Sequence, residues 1–338
     1  MEKIQHFYKK KKIGIEILRA LLCLWIVILH CSKISTKQNK YLHRGFHVPT
    51  FFMMAFYFYY PILYERIIIK ISNRICRLLI PYIIWPVFSF ILNNSMFEIF
   101  SAGQYNFKIP LKELFLQIIF GARFHWIFWF QFNLIISTLL FTILSFLFKK
   151  KLLTILCFLG IICLYLHFSN FVYNILKTYR EFIYTTLGST IELIPLAVIG
   201  CIYKSFNLLS KINNIPLSIH IALISLVYIF FKYDLFIPIS GFRYPYILSN
   251  ITVSTLLLII FNSILLKENI LFSIIDNITK FTGGIYYIHI IIRDYLSNFL
   301  LIKDRNYLSG FIIYIICYII CFIGIKIFQN SKLKYLFI

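Results

Sequence analysis

The sequence predicts an all-α membrane protein: a helical bundle of about ten transmembrane helices with both termini in the cytoplasm. Of its 338 residues 60% are apolar, whereas soluble domains contain about 45–50%. Only 14% are charged, against about 25% in soluble proteins. Ten helices of about 20 residues would use about 200 residues, which is close to the apolar content. The composition therefore excludes disorder, a collagen-like chain and a disulfide scaffold, and it argues against a soluble enzyme.

The charges of the chain are strongly basic, with 34 Lys and Arg against 12 Asp and Glu. They lie in short clusters between apolar runs, which is where the positive-inside rule places them in a membrane protein. We therefore expect no nucleic-acid partner. The 8 cysteines contain no Cys-x-x-Cys pair, so the sequence indicates neither a metal site nor a disulfide framework.

Hydropathy places the helices in order along the chain. The predicted spans are 13–32, 47–65, 78–97, 126–148, 152–170, 186–203, 215–232, 247–266, 281–301 and 308–328. A shorter apolar segment, 110–122, predicts an interfacial helix. More basic residues fall in the segments on the inner side than on the outer side when the basic N-terminus, 1–12, is placed inside. The segment 33–46 is the main exception, and 329–338 is then a short cytoplasmic tail. No loop is long enough for a second domain.

The first predicted span carries three ionisable side chains: Glu16, Arg19 and His30. Each costs about 2.5–3.5 kcal/mol to insert, so such residues are functional candidates. Glu16 and Arg19 are three residues apart on a helix and can form an ion pair. Arg19 and His30 share a face, about 16 Å apart along the axis, with Arg19 in the cytoplasmic half and His30 near the outer end. The alternative is a helix–helix contact with a histidine that reaches the interface.

A second basic cluster precedes the third span. Arg74 and Arg77 are three residues apart, and two guanidinium groups at this spacing suit a phosphate-bearing ligand. Ordinary anchoring by the positive-inside rule explains the same pattern.

Five segments in chain order form a recognisable set of motifs. They are Ile15–Leu22 with His30, Val48–Met53, Arg74–Arg77 with the following Leu78–Tyr82, Trp126–Trp129 and Gly284–His289. Together they resemble the acyltransferase-3 family of polytopic membrane acyltransferases, including its arginine-x-x-arginine motif and its late glycine-isoleucine-tyrosine-x-x-histidine motif. The resemblance spans most of the chain.

This resemblance implies transfer of an acyl group, commonly acetyl, from cytoplasmic acyl-CoA to a hydroxyl of a lipid-linked or cell-surface polysaccharide. His30 is then the catalytic group, because histidine is the usual base near neutral pH. It either deprotonates the acceptor or carries the acyl group itself. Arg74 and Arg77, together with Arg19, would bind the phosphates of the donor, and Glu16 would orient Arg19.

Two departures from the family pattern bear on these expectations. Ala55-Phe56 stands where the family usually has serine-glycine, and Glu16 stands where aspartate is more usual. The larger residue is expected either to narrow a pore or to change helix packing, and so to alter substrate or activity relative to the family.

Further residues are candidates for binding the glycan. His289 and Arg293 are four residues apart and share a helix face. His125, Trp126 and Trp129 form an aromatic platform that suits a sugar, although an aromatic belt at the membrane interface gives the same pattern. The expected partners are the lipid bilayer, acyl-CoA and the glycan, in a bacterial plasma membrane.

Two other functions fit the same helices. A translocator of a polysaccharide or lipid-linked sugar would use the polar face of the first span, which carries Arg19 and His30, as a conduit. A glycan polymerase fits less well, because no outer loop exceeds about 30 residues on this span assignment.

Overall fold

A computed structural model describes residues 13–31, 46–95, 110–120, 128–168, 189–211, 216–232, 247–263, 275, 277–299 and 307–338. The α-helices of more than one turn in these residues are α1 Ile13–Cys31, α2 His47–Glu65, α3 Ile68–Ser95, α4 Leu111–Phe120, α5 Phe128–Leu147, α6 Leu152–Phe168, α7 Ser189–Ser205, α8 Leu217–Lys232, α9 Ile247–Asn262, α10 Thr282–Phe299 and α11 Tyr307–Ile327. No strand occurs among the described residues, so the all-α prediction is confirmed.

Every predicted span coincides with one of these helices, and several are suited to a membrane. Within the described part of the chain, 4 helices are long and apolar enough to cross a bilayer: Gly14–Cys31, Ile68–Leu92, Phe128–Leu147 and Tyr307–Ile327. Ser218–Ile229 and Ser249–Asn262 are shorter apolar helices. Large apolar side chains face outwards, as with Ile69, which is 74% exposed. The protein is therefore membrane-embedded, while the number of ten spans stays a prediction.

The third span differs most from its predicted bounds. It begins ten residues earlier than predicted, because α3 starts at Ile68 and includes the basic cluster. Arg74 and Arg77 therefore lie within a helix and project from adjacent turns. Hydropathy misses this extension because charged and polar residues alternate with isoleucines in the added turns, and such a mixture is compatible with a helix that leaves the membrane.

The chain forms two compact units. The first consists of Met1–Leu22, Lys40–Ser72 and Ile136–Thr279, and the second of Cys23–Asn39, Asn73–Ile135 and Lys280–Ile338.

In the first unit, α2 packs against α7 and α9, and α7 also packs against α6. The closest approach is at Gly200, where an added methyl group would overlap the backbone carbonyl oxygen of Met53. Hydroxyl groups link the helices in the same region: Thr50 bonds to Ser254 over 2.8 Å. Small residues and polar contacts of this kind hold helices together where the hydrophobic effect between them is weak.

Arg66 ends α2 and supports a second helix of the first unit. Its backbone is left-handed, with φ of 56°, and its N–H donates to the carbonyl of Leu63 over 3.2 Å. Its guanidinium donates to the carbonyl of Ser145 over 3.0 and 2.7 Å and to that of Phe146 over 2.9 Å. These carbonyls lie in the last turn of α5 and have no helical partner. The backbone of Arg66 thus ends α2, while its side chain caps the C-terminal end of α5.

In the second unit, α10 packs against α11, and the C-terminal residues fold back on both helices. An added methyl group at Gly324 would lie 2.6 Å from the ring of Phe337, and one at Gly284 would lie 2.7 Å from the backbone of Phe337. The indole N–H of Trp85 donates to the carbonyl of Leu336 over 3.2 Å. The predicted tail is therefore packed against helices at its end.

The predicted short helix is present as α4. Leu114 is buried against Val87 and Phe90, and the carbonyl of Ile118 accepts a hydrogen bond from the Tyr82 hydroxyl over 2.8 Å. Apolar residues on its other face, such as Phe115, are exposed.

Candidate active site

The helix α1 carries the three ionisable residues predicted from the sequence. It is continuous from Ile13 to Cys31 because its residues are apolar and it contains no proline or interior glycine beyond its first turn. Glu16 lies in the first turn and His30 in the last turn. These are the ends at which a helix dipole favours an acid and a base.

Glu16 and Arg19 form the predicted ion pair in the first unit. The guanidinium Nη2 of Arg19 lies 2.8 Å from Glu16 Oε2, and it also donates to the carbonyl oxygen of Thr279 over 2.6 Å. Thr279 is buried. The Arg19 guanidinium thus contacts both the Glu16 carboxylate and the backbone of a distant segment, while the role of Glu16 in orienting Arg19 stays a prediction.

His30 bonds directly to His289 in the second unit. His30 Nδ1 lies 2.8 Å from His289 Nε2. His30 is half-buried, and His289 has 0% of its surface exposed. The structure thus brings together two histidines that are 259 positions apart in the sequence.

The two imidazole rings meet end to end. Their centroids are 5.1 Å apart and their planes differ by 14°. A nitrogen–nitrogen distance of 2.8 Å fits a centroid separation of 5.1 Å only when both nitrogens lie on the line that joins the two ring centres. The contact is therefore an in-plane hydrogen bond rather than a face-to-face stack, and it is well aligned for proton sharing.

Arg293 anchors the end of α1 to α10. Its Nη1 donates to the backbone carbonyl of His30 over 3.1 Å, which is an acceptor that the end of α1 leaves unpaired. Its Nη2 forms an ion pair with Asp294 over 2.6 Å. Because Arg293 and His289 are one helical turn apart on α10, both the ring and the backbone of His30 are held by the same face.

A row of aromatic side chains leads away from His289. Tyr286 lies 6.0 Å from the ring of His289, centre to centre. Phe130 packs against Tyr286 at 5.6 Å, and Trp129 packs against Phe130 at 6.2 Å. Trp129 is 5% exposed, so it belongs to this interior row instead of standing on the outer surface. Its role in binding a sugar stays a prediction.

The basic cluster of α3 gains a neighbour from the C-terminal segment. The guanidinium carbon of Arg77 lies 5.9 Å from the centre of the Tyr335 ring, and the ammonium of Lys334 lies 6.0 Å from the same centre. Arg77 is exposed and Arg74 is half-buried. Two cations beside one aromatic ring can bind a phosphate-bearing ligand.

The predicted site residues are thus only partly described. His125 and Trp126 lie outside the described residues. A joint role of Arg19 and His30 in one site stays a prediction, since these residues belong to different units. Sequence reasoning did not find the bond between the histidines or the contribution of Lys334 and Tyr335. No local pattern signals contacts of such long range.

Comparisons with known proteins identify one family. No curated protein and no solved structure matches the chain significantly. The sequence profile of the acyltransferase-3 family, described as an acyltransferase domain, matches residues 12–328. That match includes the helices that carry His30, His289 and the arginine pair of α3. Because the match covers nearly the whole chain, the protein belongs to the acyltransferase-3 family and is a membrane-embedded acyltransferase.

Proposed function

We propose that this protein transfers an acetyl group from cytoplasmic acetyl-CoA to a hydroxyl of a lipid-linked or cell-surface polysaccharide, with His30 as the general base. The observation that carries the proposal is the position of His30. It is a half-buried imidazole in the first helix, held at its ring by His289 and at its carbonyl by Arg293. A base needs such fixed geometry to meet an incoming hydroxyl.

The chemistry requires one proton to move twice. The imidazole of His30 takes the proton of the acceptor hydroxyl as the hydroxyl oxygen attacks the thioester carbonyl carbon. The carbon–sulfur bond then breaks, the acetyl group stays on the acceptor oxygen, and the thiolate of CoA leaves. The imidazolium of His30 returns the proton to that thiolate. No oxidant or metal ion is needed for this balance.

The donor is proposed to bind beside Arg77. Acyl-CoA carries several phosphate charges, and the cationic groups of Arg77 and Lys334 both lie near the Tyr335 ring. Arg74 projects from the preceding turn of the same helix. Guanidinium groups bind phosphate oxygens in pairs, and the ring offers a surface for the adenine base.

The test is acyl transfer by the purified protein in lipid nanodiscs. With labelled acetyl-CoA and surface glycan from the source cells, the wild-type protein should give acetylated glycan, detected by mass spectrometry. His30→Ala should lower the rate by about 10²–10⁴-fold, as expected for the loss of a general base. His220→Ala is the matched control, because His220 bonds to Ser263 in the first unit and has no part in the proposed chemistry.

Two results would reject the proposal. Full activity of the His30→Ala variant would show that His30 is not the general base. If deletion of the gene left the acetyl content of the glycan unchanged and moved the glycan to the cell interior, the protein would be a translocator.

A further inference from the structure

His289 is fully buried, so it does not present a surface to a substrate. Its two ring nitrogens have distinct partners. One nitrogen faces His30, and the other faces a carbonyl of its own helix. These partners determine where the protons of both rings lie, as follows from the donor and acceptor capacity of each atom.

The first step concerns His289 Nδ1. It lies 3.2 Å from the backbone carbonyl oxygen of Ile285, one turn earlier in α10. A carbonyl oxygen can only accept, so this nitrogen must carry a proton and donate it. In a neutral His289 the other nitrogen, Nε2, is then without a proton.

The second step concerns the bond between the rings. Because Nε2 of the neutral His289 is an acceptor, the proton in the 2.8 Å bond belongs to His30 Nδ1. A neutral His30 that is protonated at Nδ1 has no proton at Nε2. That nitrogen is then the one that can take a proton from a hydroxyl.

The reverse arrangement requires a charged His289. If His289 donated through both nitrogens it would be an imidazolium with 0% of its surface exposed. Arg293 lies one turn after His289 on α10, and Asp294 is paired with the positive charge of Arg293. Tyr286, the described aromatic neighbour on that helix, offers no negative charge to compensate. Taking an imidazolium out of water costs free energy, so the neutral ring fits this buried position.

We propose that His289 is a positioning residue that holds His30 in the Nδ1–H tautomer, so that His30 Nε2 is the atom that removes the proton from the acceptor. This inference rests on the proposed function for the role of His30, but the tautomer itself does not depend on any activity. His289 acts here as a carboxylate does behind the histidine of a serine hydrolase, where the wrong tautomer removes most of the activity.

The direct test is ¹⁵N NMR of the full-length protein in nanodiscs with labelled histidine. Among the 8 histidines, the signals of His30 are those that disappear in His30→Gln. They should show a protonated Nδ1 and an unprotonated Nε2. In His289→Leu this preference should be lost, while the signals of His220 stay unchanged. A protonated Nε2 on neutral His30 in the wild-type protein would overturn the proposal.

The kinetic test separates positioning from general support of the fold. His289→Leu should lower kcat by about 10–100-fold and leave the KM of both substrates unchanged. His289→Gln should recover part of that loss, because its amide oxygen can accept the same proton from His30. Wild-type kcat in His289→Leu would contradict the proposal.

Failure of the proposed function and failure of a variant to fold can each be told apart from failure of the tautomer proposal. If the wild-type protein transfers no acetyl group, the proposed function fails, and the NMR result still decides the tautomer. If His289→Leu does not fold, as judged by thermal unfolding in detergent, the wild-type spectrum and the Gln variant decide it.

Discussion

Single residues set the chemistry at both ends of the first helix and at the basic cluster. The cationic groups of Arg77 and Lys334 lie 5.9 and 6.0 Å from the centre of the Tyr335 ring. An anion bound beside this ring would be attracted by both cations. The phosphates of an acyl-CoA donor are such anions, and this is why the cluster is proposed as the donor site.

The donor assignment predicts a specific kinetic change. Arg77→Ala should raise the KM for acetyl-CoA about 10-fold, which corresponds to the loss of a charge-assisted contact of about 1.5 kcal/mol. It should leave kcat nearly unchanged, because the reacting atoms are not touched. Initial rates at varied acetyl-CoA concentration measure both constants.

Lys204→Ala provides the control, since Lys204 lies over the ring of Tyr57 at 5.4 Å and belongs to the first unit. It should change neither constant. An unchanged KM in Arg77→Ala would mean that the donor phosphates bind elsewhere.

Pairs of helices in the first unit depend on backbone contact as well as on side chains. The α2 and α7 backbones meet at Gly200, whereas a methyl group at Gly160 of α6 would lie 3.4 Å from the side chain of Val198, an ordinary contact distance. Two helical glycines of one unit thus face very different surroundings. The first can have no Cβ atom without separation of the helices, and the second can have one.

A pair of alanine substitutions tests this difference. Gly200→Ala should destabilise the protein by about 1–3 kcal/mol, because backbone atoms of α2 must move. Gly160→Ala should be neutral or slightly stabilising, since alanine favours a helix by up to about 1 kcal/mol over glycine. Thermal unfolding in detergent measures both. Equal unfolding temperatures for the two variants would show that the close contact is absent.

The helices themselves were largely predictable from the sequence, because hydropathy is a local property. Each predicted span coincides with a helix, and α4 forms where a short apolar segment was noted. The start of α3 at Ile68 was not predictable in this way. Its first turns contain Lys70, Arg74 and Arg77 among isoleucines, and these charges lower the local hydropathy below that of a membrane span.

At the scale of the whole molecule, the pattern of lysines predicts the orientation in the membrane. Lys150 lies in a basic turn after α5, and Lys112 lies in the first turn of α4. Both are exposed. With the N-terminus inside, as the positive-inside rule favours, the order of the predicted spans places Lys150 in the cytoplasm and Lys112 on the outer side.

Cysteine labelling of intact cells tests this orientation. Lys112→Cys should react with a membrane-impermeant maleimide, and Lys150→Cys should react only after the cells are opened. The unsubstituted protein gives the background of its own thiols, of which Cys76 and Cys157 are partly exposed. Labelling of Lys150→Cys in intact cells would show that the orientation is the reverse of the predicted one, and the proposed donor site would then face the outside.

The arrangement of the site was less predictable than the helices. The ion pair of Glu16 with Arg19 follows from helical spacing alone, and it is present. The pairing of His30 with His289 depends on the packing of α1 near α10, and separation by 259 positions leaves no periodic signal for it. The family motifs contain both histidines without stating that they touch. Helical spacing and the family motifs therefore named the two histidines as candidates, and the folded chain brings them together.

The aromatic row from Trp129 through Phe130 and Tyr286 to His289 has a practical consequence for optical work. Indole emission responds to the packing and polarity around the ring, so the fluorescence of Trp129 reports movement in this aromatic row without any added dye. Of the 4 tryptophans, the other three can be replaced by phenylalanine to leave this one reporter. Stopped-flow fluorescence would then follow such movement, averaged over all molecules, during turnover.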